Sequence, residues 1–301
     1  MMHFRTHYRE SVLKRKVPTH LVEANQDCTP IKIDLDFHYE SESQKRLYTK
    51  KHVEQFIQLY MSVMEEYLIS LQPEERMCIV MEKPEPVKNT KQGPNACKDG
   101  IHIIFPKIIC HHTLQSLFRK QVVKQMWSCF PRNVFTNPWE DILDSHIIRS
   151  SGWQMLGSCK PGKTAYAITY MYDVFEDRIL PKDVKEFDQI ELLEMTTMLG
   201  YDETDCILIR QDKKEEVEKR MAAAKPKKRY QSQIRPHVVR NFGVNLSSVD
   251  TTTIDLVKKF VELLRPERSH SYNSWIELGW CLHNIHNIDH TLLDVWIEFS
   301  K

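Results

Sequence analysis

Two carboxylates, Asp34 and Asp36, stand two residues apart in the segment Ile31–Phe37, IKIDLDF. Around them Ile31, Ile33, Leu35 and Phe37 recur with period 2, the pattern of a half-buried β-strand. That period puts Ile33, Leu35 and Phe37 on one face and both aspartates on the other. Like charges held so close repel. Either water screens them on an edge strand, or a divalent cation binds them. A lone Asp-x-Asp selects no chemistry by itself, because nucleases, glycosyltransferases and ordinary edge strands all contain it.

More candidates follow downstream. In KDGIHIIFP, Lys98, Gly100 and His102 alternate along one strand face. A lysine and a histidine on one face can hold phosphate oxygens, the first as a point charge and the second as a donor. A third carboxylate, Asp144, comes after Ile142 and Leu143 in EDILDSHI, and GSCKPGK then brings small residues with Lys160 and Lys163. Three carboxylates suit two hard cations, Mg²⁺ or Mn²⁺, which take oxygen ligands and share them with substrate phosphates.

These side chains need elements to position them. Strands are predicted at Ile31–Phe37, Met77–Lys83, Ile101–Ile108 and Ala165–Val174, with a short strand or turn at DILD. Helices are predicted at Lys51–Leu71, Thr113–Cys129 and Asp188–Leu199. His3–Asn25 reads as a short helix or loop. This order predicts an α+β domain with a mixed or mostly antiparallel sheet. From Lys213 a charged helix runs up to Pro226, and Arg229–Asn245 reads as linker. Two helical patterns follow from Ser248, and the chain stops at the end of a helical pattern, which predicts a piece of a longer protein.

Bulk properties narrow the classes. The 301 residues suffice for one large domain or two ordinary ones. Neither a P-loop motif nor G-x-G-x-x-G occurs, which argues against a P-loop ATPase or a Rossmann dehydrogenase within these residues. The 8 cysteines form no C-x-x-C pair and suit reduced thiols. No secretory signal and no apolar run near the roughly 18 residues of a membrane span is visible. Net charge is +1, yet the first 20 residues and the stretch from Lys213 to Arg240 are basic. Arg5, Arg9, Lys227, Lys228 and Arg229 are therefore the candidate nucleic-acid contacts, with Phe4, Tyr8 and Tyr230 available for base stacking. Trp153 reads as core. Zinc on Cys110, His111, His112 and Cys129 is disfavoured, because adjacent histidines should point apart and no tight ligand pairs occur. Trp275, Trp280 and Trp296 read as a packed aromatic core.

In their order, IDLDF, GIH and LD, with WQMLGSCKPG after them, resemble the three motifs of the archaeo-eukaryotic primase (AEP) superfamily. KDGIH is similar to the form found in primase-polymerases. The tail, LLRPERSHSYNSWIELGWCLHNI with VWIEFSK, resembles the helical primase C-terminal module of the primase-helicases of large nucleocytoplasmic DNA viruses. Leu263, Leu264, Tyr272, Trp275, Gly279, Leu282, Trp296 and Ser300 carry that likeness. The resemblance implies an α+β AEP core containing an RRM-like unit at 1–212, a basic helix and linker at 213–247, and a helical module at 248–301, with a superfamily 3 helicase following. It implies a DNA-dependent primase or primase-polymerase that uses Mg²⁺ or Mn²⁺ on a single-stranded DNA template with NTP or dNTP, inside a viral replication compartment in host cytoplasm or nucleus. Asp34, Asp36 and Asp144 would ligate the metals, and His102 would contact the triphosphate. Lys98, Lys160 and Ser158 would assist on phosphates. Gln154 departs from the family, which often has a basic residue there; Lys160, Lys163 or Arg149 would take over its task. Two other readings share these residues: an inactive primase-like module that binds single-stranded DNA and recruits a helicase, and a metal-dependent nuclease.

Overall fold

The alternation of IKIDLDF runs further in both directions than the seven residues that first display it. In the computed structural model, which describes residues 2–90, 92–223, 251–286 and 290–301, it belongs to a strand of 13 residues. Two units emerge, Tyr8–Lys225 and a second made of Met1–His7 with Pro226–Lys301.

The strands of the larger unit are β1 (Val22–Glu23), β2 (Cys28–Glu40), β3 (Met77–Glu82), β4 (Val87–Lys88), β5 (Ala96–His111), β6 (Trp153–Gln154), β7 (Ala167–Val174) and β8 (Ile179–Lys182). The main sheet is antiparallel throughout, in the order β2-β5-β3-β7-β8, with β4 added to β5. A separate two-stranded pair joins β1 to β6. Its helices are α2 (Lys50–Tyr67), α3 (His112–Val123), the single turns α4 (Trp139–Ile142) and α5 (His146–Arg149), α6 (Gln189–Met195) and α7 (Lys214–Ala223), while α1 (Met2–Tyr8) falls, but for Tyr8, in the smaller unit.

Helix α2 starts where Thr49 accepts the N–H of His52 while the His52 ring accepts the N–H of Thr49, a reciprocal cap. Its Val53, Phe56, Ile57, Tyr60 and Met64 are buried against Ile33, Leu35 and Phe37 of β2 and Ile101, Ile103 and Phe105 of β5. Each such side chain contributes about 1.5–3 kcal/mol on burial. The opposite sheet face is covered in part by a second core in which Ile79, Ile104 and Met171 meet Ile147, Ile148, Trp153 and Leu192. Beside that second core lie Lys32, Asp34, Asp36 and His38.

Strand β5 is twice the length read from the sequence. The sequence pattern stops at Ile108. Instead the pairing shifts from Ile31 opposite Phe105 to Pro30 opposite Ile109, so β5 bulges at Pro106–Ile108 and resumes.

Strand β2 is an edge of the sheet, and unpaired edge groups need partners. The loop leading to α4 and α5 supplies them. Thr136 N–H donates to His38 O at 2.7 Å. Asn137 Nδ2 donates to Asp36 O at 2.8 Å, and its Oδ1 accepts from His38 N at 2.9 Å. Leu143 bridges Leu35, and Asp144 N–H donates to Asp34 O at 2.9 Å. From the other side Arg119 holds the same loop through Leu143 O at 2.7 Å and through Glu140 O.

The smaller unit packs α8 (Thr251–Glu262), α9 (Tyr272–Ile285) and α10 (Thr291–Phe299) around Ile254, Val261, Leu282 and Leu292. Trp275 and Trp296 stack at 4.5 Å, and Trp296 Nε1 donates to Trp275 O. A Cβ on Gly279 would stand 2.6 Å from the Trp296 ring, so glycine is required there. Only two of the three expected core tryptophans take part: Trp280 is 49% exposed.

Asn137→Ala removes both side-chain latches on the β2 edge. The larger unit should lose about 1–3 kcal/mol in denaturant unfolding; an unchanged midpoint would show that the edge is held without them.

Candidate active site

Register decides which side chains meet. Asp34 lies opposite His102, Asp36 opposite Gly100, and His38 opposite Lys98. Lys98 reaches diagonally, its Nζ 2.9 Å from Asp36 Oδ2. The backbone latch described above sets Asp144 beside Asp34, and its Oδ1 accepts from the N–H of His146 at 2.8 Å. In GSCKPGK, Gly157 and Gly162 adopt φ of +82° and +68°, left-handed values that favour glycine. This turn brings Lys160 and Lys163 to the carboxylates. Asp34, Asp36, Asp144, Lys98, His102 and Lys160 all line one cavity of about 370 Å³.

Lys83, Lys163, Gln154 and Tyr166 line it too. The sequence reading left out Lys83 and Tyr166. Lys83 directly follows β3, and only the antiparallel neighbours β3 and β5 reveal that this end opens on the carboxylates. Its ammonium lies over the Tyr166 ring, 5.4 Å from the centroid.

The Asp34 side chain is 15% exposed, and its Oδ1 is buried without a hydrogen-bond partner. His102 Nε2 stops 3.6 Å from that oxygen, outside hydrogen-bond range. Burial first, then the charges of Asp36 and Asp144, raise the Asp34 carboxyl to about 8. An orphaned carboxylate oxygen facing two more carboxylates fits a hard cation. The three do not converge on a single point, since their ligand atoms are not all within 4.8 Å of one another.

His102 is stacked between Tyr166, at 3.7 Å and 18°, and Trp153, at 4.7 Å. Burial holds its pKa down to about 3, so the ring is neutral at physiological pH and donates a proton from one nitrogen only. Tyr166 comes this close because residue 100 has no side chain: a Cβ there would stand 2.5 Å from the Tyr166 hydroxyl oxygen.

Other expected contacts lie elsewhere. Ser158 is 2% exposed and donates its hydroxyl to Thr19 O at 3.0 Å, so it braces the turn and does not line the cavity. Arg149 lines a different cavity. Arg9 pairs with its neighbour Glu10 at 2.9 Å and is absent from the cleft wall. Arg5 lies on α1, in the smaller unit, where Phe4 packs on Phe260. Tyr8 is buried with its hydroxyl on Leu156 O, which removes it as a stacking platform. Lys227, Lys228, Arg229 and Tyr230 fall outside the described residues. Trp153 is fully buried and donates to Thr196 O, as its core reading required.

The two adjacent histidines need a correction. His111 ends β5 and His112 begins α3, and this change of direction brings their rings to 4.1 Å. With Asp27 they place three ligand atoms within 4.8 Å. Cys110 and Cys129 stand apart from that group as free, buried thiols.

An antiparallel sheet that sets Asp-x-Asp across from small-x-His, with a third aspartate latched to the same strand, is the core of an archaeo-eukaryotic primase. The chain belongs to the family described as the C962R protein N-terminal AEP domain, which matches residues 1–172. Primase C terminal 2 (PriCT-2) matches residues 257–301. The chain is also similar to L207/L206 of Acanthamoeba polyphaga mimivirus, a protein named as a helicase. They are 28% identical over 304 residues, which covers 94% of this chain. The chain spans 30% of that relative's length.

Two outcomes follow from this geometry. Asp34 keeps its proton up to a pH of about 8 without metal and must release it to ligate, so Mn²⁺ affinity should rise between about pH 6 and 8. Calorimetry in buffers of different ionisation enthalpy would detect the released proton, and Asp34→Asn should abolish the release. A pH-independent affinity would contradict it. Separately, Gly100→Ala should cost about 1–3 kcal/mol through overpacking. Tyr166→Phe should relieve part of that cost, so a double-mutant cycle by thermal denaturation should show coupling, and strict additivity would contradict the close approach.

Proposed function

We propose that the chain is a DNA-dependent primase or primase-polymerase, acting by two-metal nucleotidyl transfer on a single-stranded template during viral DNA replication. The observation that supports it best is the composition of one cavity wall: three carboxylates, a neutral stacked histidine and four lysines, Lys83, Lys98, Lys160 and Lys163. A nuclease shares the carboxylates, but four lysines gathered with a neutral histidine in one cavity fit the concentrated charge of a triphosphate better.

In this reading Asp34, Asp36 and Asp144 hold Mg²⁺ or Mn²⁺. When bound, such ions lower the pKa of an attacking 3′-hydroxyl and neutralise the departing pyrophosphate. The remaining work falls to the chain's own side chains. Lys98, now paired with Asp36, would turn to a phosphate oxygen once Asp36 is engaged elsewhere. His102, fixed in plane by Tyr166 and Trp153, donates its single ring proton to the triphosphate. Lys160 and Lys163, on a short Gly-bounded turn, supply two further cations to the phosphates. Lys83 supplies the charge that Gln154 lacks. Holding the nucleotide this way aligns its α-phosphate for in-line attack.

The PriCT-2 match and the likeness to a protein named as a helicase support a superfamily 3 helicase domain as partner in a longer chain.

Purified protein with single-stranded template, labelled nucleotides and Mg²⁺ or Mn²⁺ should make product without a primer. Asp34→Ala and Asp36→Ala should each reduce synthesis by about a hundredfold or more. Binding without synthesis under either metal would indicate a non-catalytic recruiting module, and template degradation would indicate a nuclease.

A further inference from the structure

A second cavity, of about 360 Å³, lies between α3, α5 and α7 and shares no lining residue with the carboxylate cleft. Its wall contains His112, Thr113, Ser116, Lys120, Arg149 and Arg220, and no carboxylate. The three cations come from three separate helices, so no single amphipathic face explains their meeting. Arg220 shares its charge with Glu216 at 3.1 Å, while Lys120 and Arg149 have no ion-pair partner among the described residues. Thr113 Oγ1 is buried there without a hydrogen-bond partner, at the positive end of the 12-residue helix α3. His112 is 8% exposed, and its nearest carboxylate oxygen, on Asp27, is 3.6 Å away.

Such a wall selects an anion over a cation. The neighbouring Asp27, His111 and His112 group is a poor metal cage. His111 Nδ1 already accepts the N–H of Thr113 at 3.2 Å, capping α3, and Asp27 is largely exposed. Burial first, then His111 and Arg149, keep His112 down to about 4, so it serves as a neutral donor beside the cations.

Distance points to the source of the anion. Arg149 lies five positions after Asp144, so even a fully extended chain would place them within about 18 Å. A strand lying at the carboxylates would need to run only a few nucleotides to span that distance. We propose that the α3–α5–α7 cavity binds backbone phosphates of the single-stranded template, outside the reactive cleft, through Lys120, Arg149, Arg220 and the Thr113 hydroxyl. This rests on the primase reading, and its test separates the two.

The test measures binding of a labelled single-stranded 30-mer DNA across a salt series. The variants are Lys120→Gln/Arg149→Gln and a control pair, Lys51→Gln/Lys107→Gln, on exposed positions elsewhere. The cavity pair should weaken binding and flatten the slope of log affinity against log salt by about 1.4, the release expected from two lost phosphate contacts on a single strand. The control pair should leave the slope unchanged. Synthesis on saturating template should persist in both. An unaltered slope in the cavity variant, or equal flattening in the two pairs, would overturn the proposal. Loss of the primase reading would appear instead as synthesis indifferent to Asp34→Ala, whatever the salt slope.

Discussion

The site depends on how one edge strand is completed. Strand β2 pairs with β5 on one side only, and its other side must satisfy the carbonyls of Asp34, Asp36 and His38. The loop Thr136–Asp144 does this, ending with the Asp144 N–H on Asp34 O. The same hydrogen bonds that remove a sticky edge therefore carry the third carboxylate across more than a hundred residues of sequence to the first two. Stability and site assembly are a single event here.

Charge then governs the rest. Three carboxylates around a half-buried cleft repel unless protons, cations or lysines compensate. Each solution is visible: Asp34 retains a proton, Lys98 pairs with Asp36, and Asp144 accepts from His146. In the proposed function each would be exchanged for metal and phosphate. Rigid elements carry the parts that must not move. His102 sits mid-strand between two aromatic rings, and Gly100 leaves room for one of them.

Much of this was legible in the sequence, for definite reasons. Period 2 in IKIDLDF separates core from cleft, and that inference needs no partner strand. Lys98, Gly100 and His102 obey the same rule one strand away. Helix α2 announces itself by spacing. What the sequence hid were relations between elements. The strand through Pro106 read as ending at Ile108, because the bulge that lets it continue is shaped by pairing with β2. Lys83 and Tyr166 carry no local mark of function; only the order β5-β3-β7 places them at the cleft. Ser158 and Arg149 stood near the right motifs but point elsewhere, since a turn and a single helical turn can aim neighbours in opposite directions. The histidine pair failed the same way, through a strand-to-helix change of direction between His111 and His112.

The most direct measurement is anomalous scattering from crystals grown with Mn²⁺ and a non-hydrolysable nucleoside triphosphate. Manganese signal within ligand distance of Asp34, Asp36 and Asp144, with the triphosphate against His102 and Lys160, is the expected result. Signal confined to Asp27, His111 and His112, with the three-carboxylate cleft lacking both metal and nucleotide, would contradict the assignment of this cleft as the catalytic centre.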